Sequence, residues 1–194
     1  MKKLLRYFFL LLSPILFLSC SNSEIYENGA KRLDSLDGAM GLISKEILSS
    51  DTVQLQKAIE RFTTYRFFIK TNVNDTLLPE EAETIKRFFL SGTVLESYSK
   101  NRTLLLNRAN SMHTQATKLR HDITETLINE QEINAALEKE TKASTELTGT
   151  MLEQQKKYYS AMQEFKQVLP LTEEFIRKYN KGELPALVKQ NDDF

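Results

Sequence analysis

The chain has no tryptophan, one cysteine, four prolines and six glycines among its 194 residues. A lone cysteine excludes an intrachain disulfide, so packing alone must hold the fold. Basic and acidic residues balance at 26 each, and without a basic excess nothing in the sequence asks for a nucleic acid partner. No apolar run reaches the roughly 20 residues needed to span a bilayer. The longest begins at Tyr7 and ends at Leu18. With so few turn-forming residues, and with Leu, Glu, Lys, Gln and Ala abundant, the composition is that of an all-α protein.

Motifs for catalysis are missing as well. His113 and His121 stand eight apart, roughly 80° from each other around a helix, and do not form the i, i+4 pair of a helical metal site. The sequence contains no glycine-rich phosphate loop, no G-x-S-x-G and no H-E-x-x-H. Glu125, Glu130, Glu132, Glu138 and Glu140 form an acidic stretch but lack the Glu-x-x-His pairs of di-iron bundles, so it reads as a solvated face. The sequence therefore assigns no catalytic, cofactor-binding or metal residue, and a non-enzymatic role is expected. The remote alternative, an enzyme, would use polar residues such as Arg61, Arg66, Arg87 and Glu96 around an aromatic core.

What the chain does have is a distinctive beginning. Lys2, Lys3 and Arg6 precede the apolar run, and Ser19 and Cys20 follow it, which is the layout of a secretory signal peptide. With a cysteine directly after the small residue, the segment resembles the signal of bacterial lipoproteins. The resemblance covers residues 1–20 and implies that Cys20 is lipidated and becomes the first mature residue. Phe17 and Leu18 depart from the commonest pattern, Leu and then a small residue, and leave cleavage by an ordinary signal peptidase as the alternative. Ser21 in place of Asp after the cysteine implies the outer membrane rather than the inner. Removal of 1–19 takes three basic residues with it and leaves 23 against 26 acidic, a net charge of −3.

Beyond a tether over 20–30, a helical region is expected over 31–182 and a loose tail over 183–194. Leu33, Leu36, Met40, Ile43 and Ile47 form one helical stripe. Ser50 or Asp51 can cap a second helix carrying Leu55, Ile59, Phe62, Phe67, Ile69 and Val73, and Pro79 suits the first turn of a third. Between Pro79 and Pro170 there is no proline, and a helical apolar pattern persists through Leu127, far beyond the usual roughly 10–14 residues. Aromatic residues decide how this stretch folds. None lies between Tyr98 and Tyr158, while both flanks are dense with them. A hairpin turning near Ile128 to Glu132 brings Tyr98 level with Tyr158 and gathers the large rings together; one continuous rod is the alternative.

The expected architecture is an antiparallel bundle with an aromatic four-helix base and a protruding two-helix, coiled-coil-like arm over about 99–157, some 43 Å long at 1.5 Å per residue. In the arm, Ala109, Met112, Ala116, Leu119 and Ile123 face Ile133, Leu137, Ala143, Leu147 and Met151. Pro170 should end or kink the fourth helix, and Asn180-Lys181-Gly182 should stop a short last one.

Three of the seven aspartates open an Asp-Ser/Thr-apolar triplet, at Ser35, Thr52 and Thr76. These resemble the O-glycosylation acceptor motif of secreted proteins in some Gram-negative anaerobes. Helix capping is the other reading of the second and third triplets. Together these features predict a lipid-anchored protein of the cell envelope, bound to the membrane through its N-terminus, that binds a protein partner or a second copy through its helical arm. A holdase-like chaperone is the alternative, by fold-level analogy with periplasmic chaperones that carry helical arms.

Overall fold

A computed structural model describes the backbone of residues 2–188 and the side chains of 24–188. Among the described residues the fold is all-α, a helical bundle of four helices: α1 (Lys2–Leu48), α2 (Thr52–Asn72), α3 (Pro79–Thr124) and α4 (Glu130–Tyr179). Local chemistry sets the boundaries. Asp51 caps α2 by accepting from the Gln54 N–H at 2.9 Å. Pro79 opens α3, and the Glu81 carboxylate accepts from the Leu78 N–H at 3.1 Å, satisfying a donor that the helix itself cannot.

The chain forms two compact units. One comprises Met1–Lys45 with Leu106–Gly149, the other Glu46–Leu105 with Thr150–Phe194.

The second unit holds the aromatic core. Phe62, Tyr65 and Phe68 of α2 meet Phe88 and Tyr98 of α3 and Tyr158, Phe165 and Phe175 of α4, all buried. The Tyr98 and Tyr158 rings stack at 4.4 Å between centroids, as a fold-back of α4 on α3 requires. The Tyr98 hydroxyl shares a hydrogen bond with that of Ser50 at 3.0 Å. Gly92 of α3 lies against the Phe62 ring of α2, which a Cβ at that position would overlap. Phe67, expected on the inner face of α2, stands 69% exposed, because the buried stripe passes through Phe62, Tyr65 and Ile69 on the side away from it. Among the described residues three helices, rather than four, carry this core, joined by Ser50, just past the end of α1, through its bond to Tyr98.

The first unit corrects the two-helix arm. It is a three-helix arrangement in which α1 packs into the α3/α4 seam: Leu33 is buried with Ile123, Ile133 and Leu137, and Ile25, Tyr26, Ala116, Leu119 and Ile128 pack around them. Gly29 lies against Ile133, Ile123 and Leu137, with 3.4–3.5 Å to a Cβ placed there. The segment 20–30, read as a tether, is thus part of α1, and from Ile25 onward it is packed. The seam on α4 also differs from expectation. Ser144 is buried, whereas Ala143 is exposed, since the seven-residue step from Leu137 to Ser144 sets the inward face regardless of polarity.

The turn between α3 and α4 spans residues 125–129, slightly before the expected position. α3 ends in a Schellman cap, with the Leu127 N–H on the Asp122 carbonyl at 2.9 Å and the Thr126 N–H on that of Ile123 at 3.1 Å. Thr126 occupies the left-handed position at φ 53°, where glycine is the usual residue. α4 opens with a capping box: Asn129 and Glu132 each accept from the other's backbone N–H at 3.0 Å. Leu127, read as part of the apolar stripe, is 65% exposed because that cap lifts it out of the helix.

Pro170 neither ends α4 nor starts a new helix; α4 continues through it to Tyr179. A proline inside a helix costs about 3 kcal/mol. Burial of Phe165, Val168, Phe175 and Ile176 on both sides of it contributes about 1.5–3 kcal/mol per side chain and outweighs that cost. Beyond Tyr179 the chain turns away from the helix through Gly182, with φ 87°. It does not all hang free: Leu184 packs on the aromatic core, and the Val188 N–H donates to the Thr64 hydroxyl at 3.1 Å. Residues 189–194 of the expected tail lie outside the described ones.

These contacts predict opposite outcomes at two helical glycines. Gly92→Ala should lower stability by about 1–3 kcal/mol through overpacking against Phe62. Gly149→Ala, with open space around it, should raise it by up to about 1 kcal/mol through helix propensity. Chemical denaturation of both variants measures the difference.

Candidate functional site

Each residue singled out in the sequence now has a place. Cys20 lies within α1, but its side chain is outside the described ones. Ser35 is exposed on α1, beside Asp34, whose carboxylate pairs with Arg120 at 3.1 Å. Thr52 is exposed at the first position of α2, next to the capping Asp51, so capping accounts for the second triplet. It does not account for the third. Asp75 and Thr76 are exposed in the segment between α2 and α3, where the start of α3 is capped by Glu81 instead.

The two histidines differ. His121 is exposed on α3. The Nδ1 of His113 meets a carboxylate oxygen of Asp37, tying α3 to α1 within the first unit. Beside them is a cavity of about 10 Å³, lined by Leu33, Leu36, Met40, Met112, Glu140 and Ser144 as well as the pair itself. That is room for about one water molecule and too little for a substrate. Among the described residues, no group of three or more His, Cys, Asp or Glu is placed to hold a metal ion. Within the acidic stretch, Glu132 is used in the capping box and Glu140 is half-buried at the cavity.

The polar residues around the aromatic core are arranged as interhelical pairs rather than around a pocket. Arg66 donates to Glu96 at 3.1 Å and lies over the Phe62 ring, 4.6 Å from its centroid. Arg87 pairs with Glu164, and Lys178 with Glu81 at 2.7 Å. Arg61 stands 3.8 Å from Glu173, which also accepts from the Tyr65 hydroxyl at 3.0 Å. Burial acts to raise the pKa of Glu96, but Lys100 and Arg66 together hold it below the ordinary carboxylate value. Tyr65 is pushed up to about 12, by burial first and then by its hydrogen bond to the Glu173 carboxylate.

Sequence reasoning missed the apolar side chains that the helices leave in water. On α3, Leu90 and Leu104 are 60% and 58% exposed and stand two heptads apart. On α4, Leu152 and Tyr159 are one heptad apart and about half exposed. All four belong to the second unit. The heptad spacing was the signal available, but every one of these positions also fits a continuous apolar helix. No helix among the described residues is long and apolar enough to cross a membrane.

No protein-family model, no curated protein and no solved structure matches this chain.

The Tyr65 environment has a definite pH signature. A phenol whose folded pKa is raised contributes stability that is present below its unfolded value of 10 and is lost as pH rises through about 12. Ultraviolet titration should show one phenolate appearing near pH 12 that is missing in Tyr65→Phe, and that variant should lose less stability over the same alkaline interval.

Proposed function

We propose that this chain is a lipid-anchored, helical protein of the cell envelope with a non-enzymatic binding or structural role. Cys20 holds it at the membrane, the outer membrane in preference to the inner, and the outward faces of its helices meet a protein partner or a second copy. The N-terminal signal supports the anchoring. The observation that carries the binding role is the set of large apolar side chains in helical register outside the core, Leu90 and Leu104 on α3 and Leu152 and Tyr159 on α4. A partner helix laid along such positions buries apolar surface that the monomer leaves in water. Among the three triplets, Thr76 is the best-placed acceptor for an O-linked sugar, because it is exposed and outside the helices.

Two measurements test this reading. Cys20→Ser should move the protein from the membrane to the soluble fraction with its helical content unchanged. The intact mass of the membrane form should equal the peptide from Cys20 plus lipid, with any further increment lost in Thr76→Ala if that residue carries sugar. Photo-crosslinking amino acids placed at Leu104 and Leu152 in living cells should then give a discrete adduct, whose size separates a second copy from another protein. No adduct at either position would overturn the binding role. Suppression of aggregation of an unfolded membrane protein, without any discrete adduct, would replace it with the holdase alternative.

A further inference from the structure

Within the first unit, α1 brings the start of the mature chain to the α3–α4 turn. The Tyr26 hydroxyl donates to the Ile128 carbonyl at 3.1 Å, and Ile25, Tyr26 and Ile128 pack on the same small core. Cys20 precedes Tyr26 by six residues. Those six residues cover about 9 Å as helix and no more than about 22 Å even when fully extended. A lipid on Cys20 therefore holds the turn close to the bilayer surface.

The turn presents an apolar residue there. In a Schellman cap the side chain two places past the helix end usually folds back onto an apolar residue in the last turn. Here the residue at that place is Leu127, and the one it would fold onto is Asp122. Among the described residues Leu127 joins no apolar cluster, and it stands 65% exposed.

The geometry points to the α3–α4 turn, with Leu127 at its tip, as a second contact with the lipid surface beside the acylated Cys20. This inference rests on the anchoring proposed above. The charges around the turn specify the kind of surface. Glu24, Glu125 and Glu130 are exposed near it and the Asp122 carboxylate lies in the last turn of α3, with the Glu132 carboxylate engaged in the capping box and Glu27 paired with Lys31 at 2.6 Å. The basic residues near this end are Lys118, His121 and Arg120, the last of which pairs with Asp34. This acidic excess fits zwitterionic headgroups. It is repelled by anionic ones over a range of about 10 Å at 0.1 M salt.

The absence of tryptophan makes the test direct. Leu127→Trp, an exposed substitution in the full lipidated protein, supplies a single fluorophore at the turn. Glu138→Trp, exposed eight residues beyond Glu130 on α4, supplies a second position about 12 Å further from the turn. In phosphatidylcholine vesicles, Trp emission from the first variant should shift to the blue and be quenched by lipids brominated high on the acyl chain, while the second should be quenched much less. Adding phosphatidylglycerol at low salt should weaken quenching at the turn, and raising the salt should restore it. Water-like, unquenched emission from Leu127→Trp in protein that floats with the vesicles would overturn the contact and leave the anchoring intact. Equal quenching at both positions would also overturn it. Protein that fails to float overturns the anchoring and the contact together.

Discussion

Two helices packed side by side bury one stripe each and leave the outer edges of that stripe in water; a third helix is needed to close the seam. This constraint shapes both units of the chain. In the second, α2 closes the seam between α3 and α4 with Phe62, Tyr65 and Ile69. In the first, α1 does so with Leu33 and Met40, and Gly29 lies against Ile133 and Leu137. Each fully buried Leu or Ile in these seams contributes about 1.5–3 kcal/mol. A closed first unit is therefore far better supported than a naked helical pair with only alanines, a serine and a few branched side chains between its helices.

α4 contributes residues to the core of each unit. Leu137, Ser144, Met151, Tyr158, Phe165 and Thr172 follow one another at seven-residue intervals, and all are buried. The polar members are tolerated because they are small. Thr172 returns its hydroxyl to the Val168 carbonyl at 2.9 Å, satisfying a donor that burial would otherwise strand. The same regularity explains why Pro170 is absorbed: it falls at an exposed position, so the packed face is continuous on either side of it.

Much of this was legible in the residues. The caps at Asp51 and Pro79, the stop at Asn180 to Gly182 and the pairing of Tyr98 with Tyr158 follow from local chemistry and from where the aromatics lie. Segment 20–30 was not legible, because Ser, Asn and Glu dominate it and the packed residues described in it are few, Ile25, Tyr26 and Gly29. Gly29 reads as a breaker, yet it lies inside α1 against Ile123 and Ile133, partners far away in sequence. The turn was placed a few residues late because Thr126 takes the left-handed position without being glycine. The Asn129–Glu132 capping box was nonetheless written in the sequence. Cys20 and the three triplets illustrate a different boundary, since the modifications proposed for them would be made by enzymes that read the sequence rather than the fold.

The central claim is that α1 is the third helix of the first unit, so that its Ile25–Tyr26 stretch and the α3–α4 turn lie together. It is tested most directly with a pair of cysteines at Gly29 and Ile133 in the Cys20→Ser protein, treated at low concentration with a short thiol crosslinker. The account predicts rapid closure within one chain, seen as a mass increase of one crosslinker bound at both ends and slower amide exchange over 24–34. Failure to close, with residues 24–34 exchanging as quickly as an unstructured peptide, would contradict it and restore the two-helix arm with a free tether.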